Sequence, residues 1–245
     1  YEIPLRLVGS EMCIRDRERG TQIMLLLSVD SSAVTASAAL TENGNIIKSE
    51  FLNAGLTHSE TLMPMIDKVM QGFDYSKLDA IAISAGPGSF TGVRIGVATV
   101  KGLAFVNNTP CIPVSTLEAA AYNYVNENAV ICAVMDARRM QFYNALFKAE
   151  NGKIIRLCED RAIGLKELLP QISEYDRVIA VGDGAELLCN NAGLDNLECP
   201  PGDAFYQTAV GVAAAAQNKE TINPAALMPV YLRLSQAERE LKLKK

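Results

Sequence analysis

The sequence predicts an α/β fold built from two similar halves. Strand-like and helix-like segments run through the first half in the order strand, strand, strand, helix, strand, helix, strand, helix. A second series begins near residue 129 and opens with the same kind of strand hairpin. Because such a repeated series is typical of layered α/β architectures, we expect a duplicated fold with its boundary near residues 126–128.

Turn and capping residues divide the first half into elements. Asn43-Gly44 lies between two apolar segments and predicts a tight hairpin, because both central residues of a type I′ turn need positive φ. Thr57 and Glu60 have the spacing of a capping box, and Pro64 is expected to kink the helix that follows. Strands are expected at 25–29, 34–40, 45–52, 79–84 and 111–114, and helices at 58–73, 92–106 and 115–126.

The second half repeats this pattern. Asn151-Gly152 predicts another turn between strands, and Gly182-Asp183-Gly184 marks a loop after a later strand. Strands are expected at 129–135, 141–149, 153–158 and 177–181, and helices at 165–172, 185–191 and 204–217.

The run Gly86-Pro87-Gly88-Ser89-Phe90-Thr91-Gly92-Val93-Arg94 connects a predicted strand to a predicted helix. Its glycines permit a sharp turn, and the start of the helix offers free N–H groups, so the loop has the composition of an anion site. It is not a Walker loop, because Val93 follows Gly92 where a lysine is needed. It also lacks the glycine spacing of the dinucleotide fingerprint. Neither standard nucleotide motif is therefore present.

Small residues recur along the predicted helix after this loop. Gly88, Gly92 and Gly96 are spaced by four, and Ala98 and Gly102 repeat that spacing on a neighbouring stripe. Each glycine inside a helix costs about 1 kcal/mol relative to alanine, so close backbone packing is expected to compensate. Two interpretations remain open. The glycines pack within the chain against the sheet, or they form a helix pair across a subunit boundary.

Composition excludes several classes of protein. Of the 245 residues, 49% are hydrophobic and 21% are charged, as is usual for a globular protein. The formal charge of −5 argues against unaided binding of nucleic acid, which needs clustered lysine and arginine. No uncharged apolar run has the length of a membrane span. Of the six cysteines, Cys13 lies in the N-terminal segment 1–23, and the other five are scattered along the chain. With no export signal, they support neither a disulfide framework nor a metal pair and favour the cytoplasm: Cys111, Cys132, Cys158, Cys189 and Cys199.

The two ends of the chain differ from the rest. Residues 1–23 have no helix or strand period and are similar to a translated adapter sequence, so we interpret them as a non-native or disordered extension with Met24 as the natural start. Residues 234–245 carry alternating charges and are expected to be a solvated tail.

Six motifs occur in order along the chain, at 28–32, 58–66, 86–94, 113–118, 136–139 and 229–233. Together they resemble the TsaB (YeaZ) family, which takes part in forming threonylcarbamoyladenosine beside the anticodon of tRNAs. The resemblance extends over about residues 24–233. It implies an actin-like (ASKHA, ribonuclease H-like) fold with two duplicated lobes, at 24–127 and 128–233, each a mixed sheet flanked by helices.

The resemblance implies a partner role. A protein of this family is expected to form a heterodimer with the transferase TsaD, to act with the ATPase TsaE, to meet tRNA through the complex, and to form a homodimer when alone. Docking would use the helix at 58–73 and the glycine-rich helix. The candidate interface residues are His58, Leu62, Met65, Ile66, Val69, Gly88, Gly92, Val93, Gly96 and Val100.

The resemblance also implies that the chain lacks the transferase chemistry. TsaD carries a metal-binding His-x-x-x-His pair, whose positions align with Thr116 and Ala120 here. His58 is the only histidine, so no two-histidine metal site can form. We expect no metal and no tightly bound cofactor, with ATP or ADP held only weakly or at the partner interface. Weak nucleotide or phosphate candidates are Asp30, Ser31, Ser32, Gly86, Gly88, Ser89 and Thr91.

An enzyme in its own right is the competing hypothesis, either an ATP-dependent phosphotransferase or a glycoprotease-like hydrolase. The missing histidines argue against the hydrolase, and the missing phosphate-loop motifs argue against the phosphotransferase. His58 is expected to be an exposed residue at a helix start rather than a general base. Asp136 and Arg138 are placed to form a local ion pair.

Overall fold

The structure is a computed structural model that describes residues 24–53, 55, 57–217 and 219–233. The extension expected at 1–23 and the tail expected at 234–245 lie outside these ranges. None of the helices in the described ranges combines the length and the apolarity that a membrane span requires.

The first sheet has five strands in the order β3-β2-β1-β4-β5. The strands β1, β2 and β3 are antiparallel, whereas β4 and β5 run parallel to β1. Asn43 and Gly44 both have positive φ, at 51° and 80°, which confirms the predicted hairpin turn. The strands span β1 (Leu25–Asp30), β2 (Ala36–Glu42), β3 (Asn45–Leu52), β4 (Ala80–Gly86) and β5 (Cys111–Ser115), and the helices α1 (His58–Met70), α2 (Phe90–Asn107) and α3 (Thr116–Tyr122).

The second sheet has the same design. Its order, read from the other edge, is β8-β7-β6-β10-β11. Strand β7 is antiparallel to both β6 and β8, whereas β10 and β11 run parallel to β6. The duplicated architecture is therefore confirmed. The strands span β6 (Ala129–Asp136), β7 (Gln141–Glu150), β8 (Lys153–Arg156), β9 (Arg161–Gly164), β10 (Val178–Val181) and β11 (Leu197–Glu198), and the helices α4 (Leu165–Ile172), α5 (Ala185–Ala192) and α6 (Ala209–Ala216).

Two helices join the halves. Helix α6 comes late in the sequence, yet Val212 and Ala216 pack with Leu26 and Ile112 of the first sheet. Helix α3 belongs to the first half, yet its Leu117 packs with the core of β6 and β7. The two helices meet closely, because a Cβ at Gly211 would overlap the carbonyl oxygen of Ala119. Each half of the sequence therefore contributes a helix to the hydrophobic core of the other half.

The structure corrects some local predictions. The Thr57 side chain makes no cap hydrogen bond, and the Glu60 N–H donates instead to the Thr57 carbonyl at 3.0 Å. Helix α1 continues through the exposed Pro64, and the kink expected there stays a prediction. The helix expected at 204–217 begins only at Ala209, because the Thr208 hydroxyl caps the Gly211 N–H at 3.2 Å.

Two short strands were missed. The four residues of β9 pair with β7, and the two residues of β11 pair with β10. Neither segment has an alternating apolar pattern of its own. Both are strands because a neighbouring strand offers hydrogen-bond partners, which is tertiary information.

Candidate functional site

The glycine loop packs against the turn that follows β1. The Ser89 N–H donates to the Ser32 carbonyl at 2.7 Å. A Cβ at Gly88 would overlap that carbonyl, and one at Gly92 would overlap the carbonyl of Ser31. A Cβ at Gly96 would overlap the Ser31 hydroxyl. The stripe of Gly88, Gly92 and Gly96 thus permits close packing within the chain. This agrees with the interpretation that these glycines pack internally rather than across a subunit boundary.

Three backbone N–H groups of the loop and the helix start, those of Ser89, Gly92 and Val93, donate to acceptors within the chain. The Ser89 hydroxyl accepts from the Gly92 N–H at 3.3 Å, and the Val93 N–H donates to the Ser89 carbonyl at 2.9 Å. The Ser31 hydroxyl donates to the Gly92 carbonyl at 2.9 Å. An anion bound at the N–H groups of Gly92 and Val93 would have to compete with these internal bonds.

Asp30 is the last residue of β1 and is fully buried. Its carboxylate accepts from the Ser32 N–H at 3.2 Å and from the Gln207 amide at 3.4 Å, which joins the two halves. Burial raises the pKa of Asp30 despite these bonds. Among the nucleotide candidates, Asp30, Ser31, Ser32 and Gly86 are buried, whereas Gly88, Ser89 and Thr91 line an open cleft.

This cleft lies between the two lobes and has a volume of about 500 Å³. One wall comes from the glycine loop and the start of α2, and the other from the ends of β6 and β10. Polar and aromatic side chains line it: Ser89, Phe90, Thr91, Asp136, Arg138, Tyr143, Asp183, Tyr206, Tyr231 and Arg233.

Two carboxyl groups lie at the base of this cleft. Asp183 accepts from the Asp136 N–H at 3.0 Å. Burial raises the pKa of Asp183 to about 7, although the bond from the Asp136 N–H lowers it, and the charge of Asp136 adds a smaller rise. Asp136 pairs with the Arg138 guanidinium at 3.1 Å, which confirms the predicted local ion pair. Asp183 was missed as a candidate. The available signal was its position between two glycines after a buried strand, where Gly182 has a φ of 97°.

The C-terminal motif packs beside the glycine loop. The Val230 N–H donates to the Ala85 carbonyl at 2.7 Å. The Arg94 guanidinium lies 3.9 Å from the Phe90 ring centre, and its Nε donates to the Tyr231 hydroxyl at 2.8 Å. Tertiary structure therefore brings the motifs at 86–94 and 229–233 together.

The face of α2 opposite Gly92 and Gly96 is exposed to solvent in the part of the chain that the structure describes. Ala98 and Gly102 are exposed, and the side chains of Phe105 and Val106 are 83% and 79% exposed. Met228 lies in the segment beside this helix and is 64% exposed. We call these five residues the α2 surface. Sequence reasoning missed Phe105, although it continues the stripe of Ala98 and Gly102 by one helical turn.

Most candidate interface residues are instead core residues. Leu62, Ile66, Val69, Val93 and Val100 are at most 1% exposed and belong to the core between the first sheet and its helices. Met65, Gly92 and Gly96 are also buried. The correction has a simple cause: the apolar face of each helix covers the sheet, and the opposite face meets solvent.

His58 is not the exposed residue that was expected. It is partly buried, its Nε2 lies 2.7 Å from the Ala33 carbonyl, and its ring lies next to Gly92. The contact with a carbonyl places a proton on Nε2. His58 therefore ties α1 to the turn after β1.

Helix α3 carries Thr116 and Ala120, the positions at which the resemblance to TsaD implies metal ligands in that enzyme. Thr116 and Ala120 are both buried. Glu118, on the same helix, pairs with Arg156 at 3.2 Å and with Lys219 at 2.9 Å. Within the described ranges, no cluster of three histidine, cysteine, aspartate or glutamate residues could hold a metal ion.

Comparison with known proteins identifies the family. A family model described as TsaD, tRNA N6-adenosine threonylcarbamoyltransferase, matches residues 52–239. The tRNA threonylcarbamoyladenosine biosynthesis protein TsaB of Bacillus subtilis is 31% identical over 225 residues, which cover 88% of this chain and 96% of that protein. The chain belongs to the TsaB (YeaZ) family.

Other relatives agree. TsaB of Escherichia coli is 27% identical over 89% of this TsaB-family chain and 98% of its own length. YeaZ from Pseudomonas aeruginosa superposes with a TM-score of 0.73 at 25% identity and covers 85% of this chain, which confirms the expected actin-like fold. A TsaD transferase from Afipia carboxidovorans is similar over only 40% of this chain and 34% of its own length. The full-length likeness is thus to TsaB rather than to the transferase.

Proposed function

We propose that this TsaB-family chain is a non-catalytic subunit that binds a TsaD transferase and acts with the ATPase TsaE in threonylcarbamoyladenosine formation on tRNA. Its family places it in this biosynthesis. The positions aligned with the transferase's metal ligands hold Thr116 and Ala120, neither of which can replace an imidazole ligand.

We further propose that the chain is located in the cytoplasm. We also propose that the partner supplies most contacts to tRNA phosphates, because this chain carries a net charge of −5.

The α2 surface is the observation that carries the proposal. Burying a large apolar side chain contributes about 1.5–3 kcal/mol, and Phe105 and Val106 form an adjacent exposed pair. Ala98 and Gly102 lie on the same helix and leave room for the backbone of a partner helix to approach. Of the two docking helices expected from the sequence, this proposal keeps α2 and moves the contact to the opposite face of that helix.

Replacing Phe105 with glutamate should weaken binding to TsaD by at least about tenfold, because the apolar contact is lost and a charge is buried at its centre. The measurement is a titration of labelled TsaD with the variant. Ile155→Glu is the matched control, since Ile155 is a 47% exposed apolar residue on β8 of the other lobe. Equal affinity of the Phe105 variant and the wild type would exclude the α2 surface as the docking site.

The purified chain should hydrolyse ATP no faster than background and should bind no stoichiometric zinc or iron. The first reason is that Thr116 and Ala120 are not metal ligands, and the second is that the N–H groups of Ser89, Gly92 and Val93 already donate within the chain. Elemental analysis and a phosphate-release assay test the two statements. A transition metal retained through dialysis, with an activity lost on chelation, would favour the enzyme hypothesis instead.

A further inference from the structure

Strand β3 forms one edge of the first sheet. It is the outermost strand in the order β3-β2-β1-β4-β5, and among the described residues it pairs only with β2. Its eight residues make it longer than β8, the four-residue strand at one edge of the second sheet. The N–H and C=O groups on the side of β3 away from β2 are therefore able to pair with another strand.

This edge strand carries exposed apolar side chains. Ile46 is 54% exposed, Ile47 is 36% exposed and Phe51 is 38% exposed. Ile47 forms a bulge, because two neighbouring residues of β2 lie opposite Ile46 and Lys48, but residues 48–52 pair regularly with β2. The regular part of the strand is therefore the part that a further strand can extend.

Side chains alternate between the two faces of the sheet along this regular part. Lys48 donates to a backbone carbonyl just after α1, and Glu50 pairs with Lys68 of α1 at 2.7 Å. The ring centre of Phe51 lies 6.4 Å from that of Tyr206. The two charged residues therefore share the face that α1 covers, while the residue between them points to the opposite face.

We propose that β3 pairs with the same strand of a second copy of this chain, in antiparallel orientation and about a two-fold axis at Ser49. In a two-fold interface the same patch of both copies meets, so each contact occurs twice. With the axis at Ser49, Lys48 lies opposite Glu50 of the second copy, and Ile47 lies opposite Phe51 of the second copy. This surface differs from the helices that the family resemblance implied for a homodimer.

The charges select this register. Directly opposite residues of an antiparallel pair share one face of the sheet, so a two-fold axis perpendicular to the sheet sets one residue against its own copy. An axis at Lys48 or at Glu50 would place that charge against itself, which is destabilising. An axis further along the strand would leave both charges without an opposite charge. The axis at Ser49 forms two ion pairs and two apolar pairs.

The edge of β3 is separate from the α2 surface. Helix α1 packs on β2 and β3, whereas α2 packs on β4 and β1. A second copy on β3 therefore leaves the exposed side chains of Phe105 and Val106 uncovered. One chain can thus bind a second copy of itself and a different partner at the same time.

Exchanging the two charges tests the pairing. Lys48→Glu and Glu50→Lys should each weaken self-association about tenfold, because each variant sets like charges opposite one another twice. An equal mixture of the two variants should recover the wild-type affinity, since only the mixed pair places glutamates opposite lysines. Analytical ultracentrifugation of the full-length chain measures these affinities. Lys153→Glu is the matched control, because it makes the same charge change on β8 and should associate as the wild type does.

Ser49→Cys tests the position of the axis. The two copies of this residue would have Cα atoms about 4.5–5.5 Å apart, which is within the range that a disulfide spans. With Cys13 and Cys199 replaced by serine in every variant, mild oxidation with diamide should link the Ser49→Cys chain into dimers. Ser76→Cys, at another exposed serine of the first lobe, should stay unlinked.

Three results would overturn the proposal: the wild type stays monomeric up to its solubility limit, the mixture associates no more tightly than either charge variant alone, or Ser49→Cys links no faster than Ser76→Cys. Circular dichroism establishes that each variant is folded, because Glu50→Lys also removes the pair with Lys68. None of these measurements includes TsaD, so they stand apart from the proposed role in tRNA modification.

Discussion

Replacing Gly96 with leucine should destabilise the fold rather than simply remove an interface. A Cβ at this position would overlap the Ser31 hydroxyl and would approach Ile83 to 3.1 Å. The Ser31 bond to the Gly92 carbonyl would also be lost. We expect a cost of about 3 kcal/mol, at the upper end of the usual range for overpacked interiors, and a thermal midpoint lower by roughly 6–12 °C.

Gly102→Leu is the matched control, because a Cβ there meets nothing within 4 Å. This variant should keep or slightly raise the midpoint, since leucine favours a helix over glycine, and it should weaken association with TsaD. Differential scanning calorimetry and size exclusion measure the two effects. If Gly96→Leu instead kept its midpoint and lost association, the face that bears Gly96 would be the partner interface after all.

Asp183→Asn should stabilise the protein at pH 8 and change little at pH 4. The pKa of Asp183 lies at about 7 in the folded chain against 3.8 for the free group. The folded state therefore binds more protons than the unfolded state between these values, and stability falls as the pH rises across this window. Since one pKa unit corresponds to about 1.4 kcal/mol, the asparagine variant should gain about 2–4 kcal/mol at pH 8.

Urea unfolding at pH 4, 6 and 8 measures this effect. Asp136 and Arg138 face Asp183, and the buried Asp30, whose pKa is also raised, leaves a residual dependence of the same sign. Asp203→Asn is the control, because Asp203 is exposed. A pH profile identical to that of the wild type would show that Asp183 is ionised at no cost in the folded chain.

Most elements of the fold could be predicted from local signals. The strand Asn45–Leu52 and the helix Leu165–Ile172 have the predicted bounds, and the Asn43-Gly44 turn has the predicted backbone. Periodicity and turn residues act over a few positions, so the sequence displays them directly. The strand Leu197–Glu198 could not be predicted, because two residues carry no period.

The candidate site was predicted less completely. The glycine loop and Asp136 were recognised, and the structure places both at the cleft. Asp183 and Tyr206 were not, because their role depends on which segments converge between the lobes. Burial, which raises the pKa of Asp183, is a property of that convergence and leaves no local pattern.

Local patterns in the sequence specify the order of strands and helices, their duplication and the family motifs. Which face of helix α2 is covered depends instead on how distant segments pack. Gly92 and Gly96 form one stripe of small residues and Ala98 and Gly102 another, and the spacing is the same in both. The Ser31–Ser32 turn fills the space beside the first stripe and leaves the second open. Helical periodicity predicts two stripes of small residues on two faces of α2. Which face is buried depends on a turn some sixty residues earlier in the chain, and the helix sequence does not contain that information.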